Sequence, residues 1–399
     1  MLIEFFCSKT HAVASWGLGG LLRRWYGPGP WHSRSVACSS VAQGKPAVLQ
    51  ARSTAGPGRA CDGPAGDGGR RWLLLVAACL GGLAGPAAAR ADTQPCPGPA
   101  LRFERLAEGL WLLPSAIGDA GPANRGVVSN LLLARQGARW WLLGSGPSPA
   151  FGRALDCQVR QRFGHAVTDV ISPWARPELV LGQSGLPRAR RWAHAVVAEA
   201  MREQCPACVE RLHERLGEAA VDLGEHPIAV PDRLLQGESG RLGPFQWWLL
   251  PRTGGRWVTV WRHAGSPTWV AHGLLAAVVP GDGRDADLAL LQAGLRRLAA
   301  LAQADGTRAR WVGEQGGAQP SDAPATQARY WHDLAQAVGQ AIDRAADETS
   351  PAQPLPGWPE ALASHPWHAL NWQRAWRQEE TKRFDAPAAP PPGPVPARN

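Results

Sequence analysis

The chain has almost no lysine: Lys9, Lys45 and Lys382 stand against an abundance of arginine, while Ala, Gly, Pro and Trp are frequent. That skew matches a high-GC coding bias better than a surface selected for charge. No apolar run is long enough to span a bilayer, which excludes a membrane-spanning helix. No Gly-x-Ser-x-Gly surrounds Ser145 or Ser172, so a serine acyl-transfer triad has no support. Acidic residues are fewer than basic ones, 33 against 42, and the formal charge of +9 invites a nucleic-acid reading. Its distribution removes that reading. Residues 1–91 carry ten Lys/Arg against Glu4, Asp62 and Asp67, which leaves 32 basic and 30 acidic residues for 92–399, a net +2. No nucleic-acid partner is expected.

What is present is 399 residues with 45% hydrophobic content, enough for one large core. Residues 1–69 mix Gly, Pro, Ser and Arg without a sustained period, and are expected to be a disordered or spurious extension, with a small extra domain as the alternative. At Arg70-Arg71-Trp-Leu-Leu-Leu-Val a basic pair precedes a short apolar run that ends in Ala89-Arg90-Ala91. This is the form of a signal peptide over 70–91 and implies a periplasmic or secreted protein. The arginine pair leaves Sec and twin-arginine export both open. Four cysteines remain after it: Cys96, Cys157, Cys205 and Cys208. An even count outside the cytoplasm favours disulfides. Cys205-Pro-Ala-Cys208 is expected as a local structural bridge, with a redox pair or half a metal site as alternatives, and the pairing of Cys96 with Cys157 is left open. Residues 92–384 form the expected folded domain, and the Pro/Ala tail 385–399 has no means of burying a core.

Within the domain, strand-like runs come first: Phe103 to Leu113 broken at Gly109, Val127 to Ala134, and Arg139-Trp-Trp-Leu-Leu143. The turn Gly144-Ser-Gly-Pro147 and a helix from Pro149 towards Arg162 follow, then Val167 to Ile171. Leu288, Leu291, Leu295 and Leu298 share one face of a later helix, and a second helix runs from Gln327 to about Ala346; Ser364 to Phe384 resembles the closing helix of the family whose motifs follow.

The stretch Ser172-Pro-Trp-Ala-Arg-Pro-Glu-Leu-Val-Leu-Gly-Gln183 resembles the metal-binding turn of the metallo-β-lactamase superfamily, Thr-His-x-His-x-Asp-His-x-x-Gly-Asn. Further motifs follow in that family's order. Leu106 to Pro114, Ala123-Asn-Arg-Gly126 and Ser129-Asn130 are similar to the opening of periplasmic quinoprotein relay system zinc metallohydrolases. Leu142-Leu-Gly-Ser-Gly-Pro147 resembles a Val-Ile-Asp-Thr-Gly turn, Ala195-Val-Val-Ala-Glu-Ala200 a ligand-bearing stretch, and Pro251-Arg-Thr-Gly-Gly-Arg256 a His-Thr-Gly-Gly-Asp loop. Trp269-Val-Ala-His-Gly-Leu-Leu275 and Trp311-Val-Gly-Glu-Gln315 complete the set. The resemblance implies an α/β, four-layer αββα sandwich.

It also implies where a zinc site would lie, and those positions read Trp174, Arg176, Glu178, Leu179, Glu199, Arg252, Gly273 and Gln315, with Gly144 where an anchoring Asp is usual. Zinc requires converging His, Cys or carboxylate donors. Arginine keeps its proton, tryptophan offers only an N–H, and leucine and glycine offer nothing. Zinc, present in active relatives, is therefore not expected, and no other cofactor is. The expected function is that of a non-catalytic periplasmic binding or accessory protein. Its expected ligand is a small aromatic or anionic molecule, through Trp and Arg side chains. The resemblance adds a quinoprotein or cytochrome partner. The alternative is a metallo-hydrolase with a rearranged or mononuclear site, drawing on His194, His263 or His272 with Glu178 or Glu199.

Overall fold

The computed structural model describes residues 95–385 except Val278. The expected extension 1–69 and signal peptide 70–91 lie outside the described residues, as does the tail beyond Asp385. Two sheets form the interior. The first runs in chain order through β1 (Glu104–Ala107), β2 (Leu110–Leu113), β3 (Leu131–Gln136), β4 (Arg139–Leu143), β5 (Asp169–Ser172), β6 (Arg190–His194) and β7 (Arg233–Leu235). It is antiparallel up to β4 and parallel from β4 to β7. The second comprises β8 (Ser239–Leu242), β9 (Phe245–Thr253), β10 (Arg256–His263), β11 (Thr268–Val270) and β12 (Arg310–Val312), ordered β12-β11-β10-β9-β8.

The layers follow from the side-chain alternation of strands. On β4, Trp141 and Leu143 enter the core between the sheets, with Trp247 and Trp261 arriving from the other side. Trp140 and Leu142 face outward, onto helices α1 (Pro149–Phe163) and α3 (Ala195–Leu216) and the short α2 (Pro177–Val180). Val258 and Val260 of β10 face α4 (Leu288–Ala304), α5 (Ala323–Asp343) and α6 (Pro366–Asp385). Helix, sheet, sheet, helix is the αββα sandwich expected. Both faces of the central strands are covered, which explains their near-continuous apolar runs.

Local signals set the helix ends. Ser148 accepts the Phe151 N–H at the start of α1, and Gly164 at φ 76° ends it. Asp287 accepts from Ala289 and Leu290 to start α4, and Leu288, Leu291, Leu295 and Leu298 are all buried, as their spacing predicts. Helix α5 begins at Ala323, four residues ahead of the expected Gln327, because Pro324 suits the first turn, where its missing N–H leaves no bond unmade.

The cysteines correct one expectation. Cys96 and Cys157 are bridged, whereas Cys205 and Cys208, expected as a disulfide, are both free thiols. Both lie on α3, which continues through Pro206. Within it Cys205 is packed into the core and Cys208 accepts a hydrogen bond from Arg211 at its edge, so the two thiols serve different surroundings. Burial pushes the Cys205 thiol up to about 12 and raises that of Cys208 as well, which keeps both protonated and poorly nucleophilic. The Cys96–Cys157 bridge spans 61 residues, and a loop of that size predicts a loss of about 3–4 kcal/mol when it is opened. Denaturant melts of Cys157→Ser should show a fall of that order.

Candidate functional site

The site is laid out by the loop that leaves β5. Backbone and side chain of Thr259 on β10 both donate to the Pro173 carbonyl, at 2.8 and 2.9 Å, and so fix the loop's exit across the two sheets. Ser172 donates to Gln183 at 3.1 Å, and Ser145 to the Leu179 carbonyl. Neither hydroxyl is available as a nucleophile. Trp174, Arg176 and Glu178 are thereby delivered over the end of the sandwich, where Arg252 of β9 and Gly273, just past β11, meet them.

Arg176 is the centre of this group. Its Nε donates to Glu178 at 3.2 Å, its Nη1 forms an ion pair with Glu314 at 2.8 Å, and only 17% of its side chain remains exposed. Burial alone would lower its pKa, but Glu314 and Glu178 raise it above the ordinary arginine value. Burial raises Glu314, and Arg176 and Arg252 only partly offset this. Arg252 is buried among like and unlike charges, and burial brings it down to about 10, which leaves it protonated at neutral pH. The guanidiniums of Arg176 and Arg252 both stand over the Trp174 ring, 5.0 and 4.7 Å from its centroid.

The glycine positions are closed to longer side chains. Gly273 has φ 77°, and a Cβ there would lie 3.1 Å from the Trp174 ring and 3.0 Å from Val258. Gly144 has φ 76°, and a Cβ there would come within 2.7 Å of Leu131 and 2.9 Å of Leu179. Leu179 is core, packed beneath the loop.

Of the residues singled out in sequence, Trp174, Arg176, Glu178, Arg252 and Gly273 come together. Gln315 lies beside them, sharing a small cavity of about 20 Å³ with Arg176 and Glu314. Its amide is held by Gly118, accepting from the Gly118 N–H at 3.0 Å and donating to the Gly118 carbonyl at 2.8 Å. Glu199 does not join: it sits on the exposed side of α3, paired with Arg202. Sequence reasoning passed over Glu314 and the polar stripe of α3. Nothing in the sequence singled out Glu314 as the carboxylate that pairs with Arg176. The stripe Gln204, Cys208, Arg211, Arg215 was legible in its helical spacing.

A metal does not fit this donor set. Among the described residues no three His, Cys, Asp or Glu side chains are grouped to hold an ion. The carboxylates nearest the centre are already bound to Arg176. His194 caps α3 and contacts the Gly237 carbonyl, and His263 pairs with Ser266. His272 donates from Nε2 to the Asn130 carbonyl at 2.8 Å, and its Nδ1 is buried without a partner.

No family model and no curated protein matches the chain. Its structure is similar to solved metallo-β-lactamases. One from Pontibacter korlensis is 13% identical, with a TM-score of 0.46 over 59% of this chain and 100% of its own. One from Erythrobacter litoralis is 15% identical, with a TM-score of 0.46 over 58% and 95%. FIM-1 from Pseudomonas aeruginosa, solved in its mono-zinc form, is 13% identical, with a TM-score of 0.47 over 60% and 97%. These likenesses assign neither ligand nor activity to this chain.

Two outcomes test the site. Arg176→Met removes the ion-pair partner of both Glu178 and Glu314, leaving only Arg252 to offset Glu314, and should destabilise by about 3–5 kcal/mol in chemical denaturation. Adding Glu178→Gln and Glu314→Gln should recover most of that loss; no recovery would show that Arg176 acts through packing alone. Burial holds the His272 imidazole down at about 4, so the proton it lacks when folded is taken up on unfolding. Its contribution is complete above the ordinary pKa of 6.5 and is lost as pH falls through about 4, about 3 kcal/mol in all. Unfolding titrations between those pH values should have a shallower slope in His272→Asn.

Proposed function

We propose that this chain is a metal-free binding or accessory protein on a metallo-β-lactamase-like αββα fold. The observation that carries the reading is the Arg176 guanidinium, held between Glu178 and Glu314 and packed on Trp174 where the sequence resemblance would put zinc ligands. A fixed cation there does what a dication would otherwise do for the surrounding carboxylates, and it cannot activate water, because it has no acidic bound solvent to deprotonate. Exchange of a bound molecule, not hydrolysis, is the chemistry the group suits. The ligand is a small aromatic or anionic molecule. The signal-like segment at 70–91 and the Cys96–Cys157 bridge support a compartment outside the cytoplasm. A quinoprotein or cytochrome partner rests on the sequence resemblance alone.

Metal analysis of the full chain, after incubation with zinc and desalting, tests the reading. Zinc well below stoichiometry is expected. Near-stoichiometric zinc that disappears on changing Glu178 and His272 would overturn it in favour of a rearranged metallo-hydrolase.

A further inference from the structure

A cavity of about 340 Å³ opens between the site loop, α3 and the start of β10. Six arginines line it, Arg176, Arg211, Arg215, Arg252, Arg256 and Arg284, against the carboxylates Glu178, Glu203 and Asp285. Two of the arginines are committed: Arg176 to Glu178 and Glu314, and Arg284 to Asp119 and Asp282. Arg211, Arg215, Arg252 and Arg256 have no carboxylate partner among the described residues, and neither Glu203 nor Asp285 has a cationic one. On the cavity wall itself six arginines face three carboxylates, an excess of positive charge, while Glu314, Asp119 and Asp282, the other partners of Arg176 and Arg284, lie outside the lining.

Arg252 shows that the surplus is directed inward. It is 3% exposed, its Nη1 donates to the Arg284 carbonyl at 3.2 Å, and its Nε is buried with no partner. A buried, charged donor without an acceptor is unfavourable; the Nε itself is closed off, so an anion in the cavity would meet the part of the Arg252 side chain that lines it. The Trp174 ring, in contrast, already carries two guanidiniums and abuts Gly273, so a stacking ligand would compete with both for it.

We infer that this cavity receives a small oxyanion carrying two negative charges, a phosphate ester or a dicarboxylate, with the Arg252 guanidinium at its floor and Arg211, Arg215 and Arg256 at its rim. The inference rests on the metal-free reading above and selects the anionic ligand over the aromatic one. Arginine suits the task because its planar N–H groups meet two oxygens of a phosphate or carboxylate at once.

Isothermal titration of the full chain at low salt, with inorganic phosphate, succinate and benzoate, tests it. One dianion per chain should bind, and benzoate should bind at least about tenfold more weakly. Phosphate alone or succinate alone would identify which dianion chemistry is taken. Arg252→Met should weaken the bound dianion by about tenfold or more. Should that variant fail to fold, Arg215→Ala with Arg256→Ala, both exposed, should weaken binding with the melting temperature unchanged. Cys208 lines the same cavity, so the bound anion should also slow its alkylation, followed by peptide mass spectrometry. Failure of both dianions to bind, benzoate binding as tightly, or undiminished affinity in the folded variants would overturn the inference. If the chain also proves free of zinc, the metal-free reading survives that failure; stoichiometric zinc would remove both.

Discussion

A guanidinium withdrawn from water must be neutralised, and this end of the sandwich is arranged around that requirement. Arg176 meets Glu178, two residues on, and Glu314, which follows β12 at the far edge of the second sheet. The ion network thus ties the loop after β5 to the loop after β12, joining the two sheets at their rim. Buried ion pairs contribute little net stability once desolvation is counted, but removing one member is severe. What the network supplies is position: with Arg176 held, the Trp174 ring has a fixed neighbour, and Arg252 has a fixed surface to lie on.

The rest of the fold supplies the rigidity that makes such an arrangement possible. Tryptophans from both sheets interlock in the central core, with Trp247 and Trp261 opposite Trp141, and a dense interior allows few alternative placements for the loops above it. Thr259 bonds Pro173 from a strand whose neighbouring side chains are committed to the core on either side, so the loop inherits the precision of the sheet.

Much of this was legible in the residues. The layer order followed from the succession of strands, glycine turn and helix together with the family resemblance, and the α4 face from leucine spacing alone. The replaced donor positions pointed to a group of Trp and Arg side chains, and Trp174, Arg176, Arg252 and Gly273 do meet. Charge compensation was not legible, because Glu314 lies 138 residues from Arg176 in the chain and the pairing depends on how β12 is placed. The cysteines misled for a related reason. An even cysteine count outside the cytoplasm favoured a bridge, but α3 continues through the exposed Pro206 and leaves Cys205 in the core and Cys208 at its edge. Glu199 failed because motif matching ignores helical phase, which turns it to solvent.

Gly273 and Trp174 share one volume, since the ring occupies the space into which any side chain at 273 would project. A side chain added at 273 must therefore displace the ring or Val258 by a few tenths of an ångström, at a positive φ that L side chains rarely adopt. An aspartate introduced at 273 meets the indole before it could meet a metal, so a smaller residue at 174 would make room for it; removing the indole in turn uncovers Arg176 and Arg252, which would need replacing before a cation could approach. Each step towards a metal centre passes through a chain less well packed than the one before it. The pocket's present chemistry is thus defended by shape as well as charge, and a laboratory route to a zinc-binding version starts most readily at Trp174.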